Sequence, residues 1–195
     1  MDNIQIKVVV LSSGSKGNTT YIETDEAKIL IDAGNNSKYI IEKLHSLQVD
    51  IKDIDAILLT HTHKDHIAGL QVLLKKSPAK VYLTKEMLYD LPFIEKYYLI
   101  ESKEFNIKDV QIKTILTSHD VTSSLGYVVS HNDKKITYIT DTGYITGDIL
   151  KTLGNADAYI METNHNVEML QMCNRPWSLK QRILDDCGHL SNEDS

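Results

Sequence analysis

Three histidines and an aspartate lie within six consecutive residues of this chain, in the stretch THTHKDHIAGL at residues 60–70. In an extended segment residues i and i+2 share a face, so His61 and His63 can present their imidazoles to one point. Asp65 continues that face, whereas His66 points to a neighbouring position if a helix begins there. Imidazole and carboxylate groups bind zinc and related divalent ions, and this spacing favours two ions over one. The alternative is a solvated polar loop.

A dinuclear site needs further ligands from elsewhere, because a catalytic zinc ion takes three or four protein ligands and keeps a position for water. The candidates are His119, in ILTSHD beyond a predicted strand, and Asp141, in YITDTG at the end of the next predicted hairpin. Taken singly, each fits a surface histidine or a turn aspartate. Two bound cations lower the pKa of a shared water to about 7, so hydrolysis by a metal-bridged hydroxide is the predicted reaction class.

Length and composition fit one globular domain. The 195 residues are 42% hydrophobic and 25% charged, which is ordinary for such a chain, and we predict a single domain over residues 1–195. The net charge of -6 argues against a generally basic surface for nucleic acid but allows a local groove. Residues 1–14 hold only a short apolar run, so we expect no signal peptide, no membrane contact and a cytoplasmic location.

The ligand motifs follow predicted strands in a chain where strands and helices alternate. Strands are predicted at residues 4–11, 19–24, 28–31, 56–59, 80–83, 110–117, 125–130, 135–140 and 158–161. Helices are predicted at residues 39–47 after a Ser37 cap, at 67–75, from 84 until Pro92, at 146–153 and at 178–187. We therefore expect an α/β fold with two sheets and helices outside them.

The successive motifs resemble those of the metallo-β-lactamase-fold hydrolases over almost the whole chain. They are ILIDAG with Asp32, HTHKDH at residues 61–66, His119, and TDTG around Asp141. The stretches LSSGSKGN, METNHNVEML, RPWSLKQRIL and GHLSNED further resemble the YycJ/WalJ-type branch, which implies a nuclease. The resemblance implies an αββα sandwich with the metals at the edge where the two sheets meet.

The resemblance also divides the ligands between two divalent ions. His61, His63 and His119 would hold the first ion, Asp65 and His66 the second, and Asp141 would bridge them. Asp32 would support the histidine loop from behind, where hydrogen bonds orient ligands. Zinc is the first expectation, with manganese or iron as alternatives, because imidazole and carboxylate ligands without thiolate accept all three.

A second pair of residues points to phosphodiester chemistry. His189, in GHLSN, resembles the histidine that contacts the scissile phosphate in related nucleic-acid-processing enzymes, and Glu162, in METNH, best matches its acidic partner. A protonated His189 oriented by Glu162 would bind the phosphate or assist the leaving alkoxide. We count Asp65 with this pair as catalytic. The alternative for His189 is a helix-end histidine that interacts with terminal carbonyls.

One departure from the family pattern concerns the second ion. Chains of the YycJ/WalJ-type branch continue past GHLSN and carry another histidine that resembles the last ligand of the second metal, whereas this sequence stops at Ser195. We therefore expect a fold that is shortened at the C-terminus and a second metal site that lacks one ligand.

Three functions follow from these features. The first is a metal-dependent phosphodiesterase, an exonuclease or other nuclease acting on nucleic acid. The second is a hydrolase of a small ester, thioester or lactam at the same metals, which the acidic net charge supports weakly. The third is an inactive, shortened member that only binds metal or a partner. The oligomeric state is open.

Basic and aromatic residues give weaker indications. Four basic residues fit phosphate contacts and solvated surface equally well: Lys16, Arg175, Lys180 and Arg182. Tyr127, Tyr144 and Trp177 are expected in the core rather than stacked on bases.

Overall fold

The computed structural model describes residues 6–195, and the chain divides into two compact units, Met1–Gln111 and Ile112–Ser195. The first two residues of the strand predicted at 4–11 lie outside the described residues. That the two units form one domain stays a prediction.

A six-stranded sheet forms the centre of the first unit, and its strand order follows the sequence. Its strands are β1 (Lys7–Ser12), β2 (Thr19–Glu23), β3 (Lys28–Ile31), β4 (Ala56–Leu58), β5 (Lys80–Leu83) and β6 (Tyr97–Leu99). The first three strands pair antiparallel, and β3 to β6 pair parallel. Every residue of β4 is buried, as its continuous apolar sequence AIL indicates for an inner parallel strand. The sequence DAG and the histidine loop therefore leave the carboxyl ends of neighbouring strands, β3 and β4.

Four helices lie between or after these strands: α1 (Ser37–Ser46), α2 (Lys64–Ile67), α3 (Leu70–Leu74) and α4 (Lys85–Asp90). The cap of α1 is Asn36, whose side chain accepts from the amide of Tyr39, so the predicted Ser37 cap was wrong by one residue. The helix predicted at residues 67–75 is divided into α2 and α3. The division falls at Gly69, whose N–H donates to the carbonyl of Ala33 (2.8 Å). Strand β7 (Glu104–Ile107) follows near the end of the unit.

The second unit is a smaller sheet with three helices. Its strands are β8 (Val110–Leu116), which starts two residues before the unit boundary, β9 (Leu125–His131), β10 (Lys134–Ile139) and β11 (Ala158–Met161). They lie in the order β11-β10-β9-β8, with β9 antiparallel and β11 parallel to β10. The helices are α5 (Gly147–Leu153), α6 (Val167–Met172) and α7 (Trp177–Leu184). A core cluster of Ile115, Val128, Ile139 and Leu153 joins this sheet to α5.

Four elements were missed from the sequence, namely β6, β7, α6 and the 3-10 turn Ile51–Asp53. Each has six residues or fewer, and two of them carry large exposed apolar side chains, such as Tyr97 in β6 and Met172 in α6. Such elements show neither a period of 2 nor one of 3.6 clearly enough to be recognised. Across residues 6–195, none of the helices has the length and apolar composition needed to traverse a bilayer.

Candidate active site

The histidine loop follows β4 in the first unit and brings three imidazoles together. The ring centroid of His61 lies 4.8 Å from that of His63 and 4.0 Å from that of His66. His61 and His66 are buried. His63 caps α2 and His66 lies in its last turn, so the chain turns into a helix between these two histidines. Clustered imidazole nitrogens of this kind match the donor set of a divalent ion.

Asp32 supports this loop from the end of β3. Its carboxylate is fully buried and accepts from the Thr60 amide at Oδ1 (2.8 Å) and from the Thr60 hydroxyl at Oδ2 (2.7 Å). Nδ1 of His66 lies 2.7 Å from the same Oδ2. Burial raises the pKa of Asp32, against the opposing effects of His66 and Thr60. Because Asp32 binds Nδ1, the nitrogen that His66 can offer to a metal is Nε2, which lies 3.7 Å from Asp65 Oδ2.

Gly34 brings the main chain of the DAG turn against this loop. A Cβ at Gly34 would overlap the main-chain carbonyl of Asp65. We expect Gly34→Ala to reduce the free energy of unfolding by about 2 kcal/mol, because overpacking forces the backbone to shift, and to reduce metal content. Urea unfolding and metal analysis measure both effects. Gly147→Ala is the control, since an added Cβ there meets nothing within 4 Å; equal stability of the two variants would contradict this expectation.

His119 follows β8 in the second unit, and its neighbour Asp120 connects it to α7. The His119 side chain is almost fully buried, and its Nε2 lies 3.5 Å from Asp120 Oδ1. Asp120 Oδ2 accepts from Nε of Arg182 (2.6 Å) and also pairs with Nη2 of that guanidinium. Such charge-assisted contacts fix the position of a carboxylate. Asp120 was not predicted from the sequence, where its only signal is its place beside His119. Arg182 was considered as a phosphate contact and not as an ion-pair partner.

Asp141, Glu162 and His189 come together in the same unit. Glu162 accepts from the Thr142 amide at Oε1 (2.7 Å), and His189 Nδ1 lies 2.9 Å from Oε2 and 3.4 Å from Asp141 Oδ1. The hydrogen bond to Glu162 raises the pKa of His189, and the charges of Glu162, Asp141 and Asp120 add to this effect while burial opposes it. The ring of His189 thus bonds to Glu162, which leaves Nε2 as the nitrogen for another partner. The predicted Glu162–His189 pair is present in this geometry.

Main-chain pairing holds this acid–histidine pair in register. The amide of Asn164 donates to the carbonyl of Leu190 (3.1 Å), and the amide of Asn192 donates to the carbonyl of His165 (2.8 Å). The segments GHLSN and METNH therefore meet in an isolated parallel bridge between His165 and Ser191. No local pattern in either segment indicates this pairing.

The structure also locates four residues that were considered for contacts with nucleic acid. Lys180 is buried and its ammonium donates to the Gln171 carbonyl (2.6 Å), which makes it a structural residue of α7. Tyr127 is buried as expected. Tyr144 and Trp177 are 45% and 61% exposed, so their assignment to the core was wrong.

Comparison with known proteins shows the family. The family model described as the beta-lactamase superfamily domain matches residues 27–194. The chain belongs to the beta-lactamase superfamily. Among curated superfamily relatives, it is 37% identical to exodeoxyribonuclease YycJ of Bacillus anthracis over 193 residues, which are 95% of this chain and 73% of that protein. It is 38% identical to exodeoxyribonuclease WalJ of Streptococcus pneumoniae over 203 residues, covering 100% of this chain and 76% of that protein.

A solved structure shows the same fold. Zinc-bound PqqB from Methylobacterium extorquens superposes with a TM-score of 0.68 at 18% identity, over 81% of this chain and 73% of that one. The predicted α/β fold of the metallo-β-lactamase type and the resemblance to the YycJ/WalJ-type branch are confirmed. The expected shortening at the C-terminus stays a prediction.

Membership of the superfamily confirms the predicted class, a metal-dependent hydrolase, and implies that a divalent ion is bound. The donor types of this chain fit such an ion. In the first unit the imidazole rings of His63 and His66 lie close to that of His61, and in the second unit the ligand-type atoms of Asp141, Glu162 and His189 lie within 4.8 Å of one another. Neither group contains a thiolate. Which ion is bound, and which residue binds which ion, stay predictions.

Proposed function

We propose that this superfamily member is a metal-dependent phosphodiesterase that degrades DNA as an exonuclease. The observation that carries the proposal is the His189–Glu162 pair beside Asp141. A histidine held by a carboxylate can protonate the poor leaving group of a phosphodiester. Two relatives that match nearly the whole chain are exodeoxyribonucleases, which supports DNA as the substrate. A cytoplasmic location and a single domain belong to the same proposal.

The proposal assigns the ligands of two divalent ions as the sequence motifs indicate. They are His61, His63 and His119 for the first ion, Asp65 and His66 for the second, and Asp141 for both. Zinc is proposed first, with manganese or iron as alternatives. When bound, the ions supply the Lewis acidity that activates water and screens the charge on the phosphoryl oxygens.

The chain's own groups have separate tasks in this proposal. Asp65 is partly exposed next to His66 Nε2 and would orient the attacking water by accepting its hydrogen bond. Glu162 fixes the ring of His189 through Nδ1, so that Nε2 would hold a phosphoryl oxygen or give its proton to the leaving oxygen. Asp120 would keep His119 in place through its ion pair with Arg182.

End-labelled DNA and RNA, single- and double-stranded, test the proposal. We expect release of mononucleotides from DNA that stops with EDTA and returns with zinc, manganese or iron. Chromogenic thioester and lactam substrates are assayed beside them. Hydrolysis of one of these with intact DNA would replace the proposal by a small-molecule hydrolase, and absence of any turnover would replace it by a binding function.

Trp177 provides a direct probe of DNA binding. It is the only tryptophan of the chain, it is 61% exposed, and it begins α7, whose Arg182 contacts Asp120. We expect single-stranded DNA to quench its fluorescence in EDTA-treated protein, because bases stack on exposed aromatic rings, and we expect the quenching to weaken with salt. Polyglutamate, which has charge but no bases, is the control. Unchanged emission while fluorescence anisotropy of labelled DNA reports binding would contradict this expectation.

A further inference from the structure

Asn18, at the end of the loop SSGSKGN (residues 12–18), contacts two of the residues assigned to the second ion. Its side-chain Nδ2 lies 3.3 Å from Asp65 Oδ2 and 3.0 Å from His66 Nε2. Asp32 occupies the other ring nitrogen of His66, so Nε2 is the atom that His66 would offer to the ion. The Asp65 carboxylate can accept this hydrogen bond and still bind an ion, whereas the single lone pair of His66 Nε2 can serve either the Asn18 amide or the ion.

The main chain fixes Asn18 in this position. Its amide N–H donates to the carbonyl of Asp65 (2.7 Å), and its carbonyl accepts from the N–H of Gly34 (2.9 Å). Its side-chain Oδ1 accepts from the N–H of Gly14 (2.8 Å), which orients the amide so that Nδ2 faces Asp65 and His66. Gly17, just before it, has φ 144°, and a Cβ there would overlap the main chain of Asn35. The loop thus has a conformation that only glycine permits, and it ends with the Asn18 amide beside the ligands.

A donor to one carboxylate oxygen restricts how that carboxylate can turn toward a metal. Asp65 Oδ2 accepts from Asn18, and its side chain is 36% exposed, so packing alone does not fix its orientation. Hydrogen-bond partners of this kind orient ligands, and their loss weakens metal binding by roughly 10- to 100-fold.

We propose that Asn18 is a positioning residue of the second metal site, where its amide orients the Asp65 carboxylate for the ion and releases His66 Nε2 when the ion binds. This inference rests on the proposed function, which assigns Asp65 and His66 to that ion. It gives the loop SSGSKGN a task in metal binding, although none of its side chains belongs to the predicted ligand set.

Metal titration of Asn18→Ala tests this role. The variant loses the exposed bond from the Gly14 amide to Oδ1, but both main-chain bonds of residue 18 persist, so the loop is expected to fold. We expect the affinity for the second ion to fall by about 10- to 100-fold, while the first ion binds as in the wild type and the Tm changes little. Zinc titration against a competing chelator measures both affinities, and cobalt substitution reports the change of coordination in its absorption spectrum.

Controls separate positioning from loss of structure. Ser15→Ala changes an exposed side chain of the same loop and should bind both ions as the wild type does. A general loosening of the fold would weaken both ions together and lower the Tm, which would overturn a positioning role. If Asn18→Ala does not fold, Asn18→Ser keeps a polar group with a shorter reach and carries the same expectation.

The outcomes distinguish this inference from the proposed function. A wild-type chain that binds two ions and an Asn18→Ala variant with the same two affinities would overturn the role of Asn18 and leave the nuclease proposal intact. A wild-type chain that binds no second ion would overturn both the role of Asn18 and the two-ion assignment.

Discussion

Replacing His61 by alanine should reduce DNA hydrolysis by at least about 10³-fold, or about 4 kcal/mol of transition-state stabilisation, and remove at least one ion per chain. His61 is buried, and its ring lies close to those of both His63 and His66. Removal of a residue that only supports a ligand lowers metal affinity or activity by about 10- to 100-fold, and we expect removal of a direct ligand to lower them further. Initial rates on labelled DNA and elemental analysis of purified protein measure both effects.

The controls for this variant address folding and contamination. His45→Ala changes an exposed histidine of α1 and should keep full activity and metal content. Removing the buried His61 ring also leaves a cavity, so the Tm of the variant must be measured. Undiminished nuclease activity of a folded His61→Ala variant, in a preparation shown to be free of other nucleases, would refute the proposed metal-dependent mechanism.

His189→Ala should slow DNA hydrolysis by about 10² to 10⁴-fold with metal content unchanged, which is the range for loss of a general acid or base. The ring of His189 is held by Glu162 through Nδ1, so the variant removes the group that would meet the phosphate or the leaving oxygen. Glu162→Gln keeps the size of the partner but removes its charge, and we expect a smaller loss of kcat from it. Steady-state kinetics on DNA compares the two variants.

A substrate with a good leaving group distinguishes the two tasks of His189. If this residue protonates the leaving oxygen, bis-p-nitrophenyl phosphate should be hydrolysed nearly as well by His189→Ala as by the wild type, because nitrophenolate leaves without a proton. If it only binds the phosphate, the loss should be equal for both substrates. A fall of one ion per chain would instead make His189 a ligand, as its position with Asp141 and Glu162 allows.

Local sequence was sufficient to identify the elements that carry the chemistry. The strands β3, β5 and β11 begin and end where predicted, because a short apolar run bounded by polar or turn residues marks a strand, although β11 has no fully buried residue. The histidine loop was identified from the spacing of its residues alone, and the family was identified from the order of its motifs. Both depend on residue types and their order along the chain, which the sequence displays directly.

Contacts between distant segments could not be predicted in this way. Asn18 meets Asp65 across 47 positions, and Asp120 meets Arg182 across 62. No periodicity connects such residues, since their approach depends on how strands pair and where loops return. The exposure of a side chain could not be predicted either. Trp177 is a large apolar residue that was expected in the core, but it is 61% exposed at the start of α7.

The sequence by itself thus determined the family, the reaction class and the candidate ligands, because these follow from residue types at fixed spacing. The family resemblance paired Glu162 with His189, but only the tertiary structure decided which atoms meet, since two separate segments must align through their main chains to bring Glu162 Oε2 to 2.9 Å from His189 Nδ1. It likewise decided that Asp32 takes Nδ1 of His66 and leaves Nε2 for a metal. Hydrogen bonds are short-range and directional, so their partners are fixed by the fold rather than by residue type.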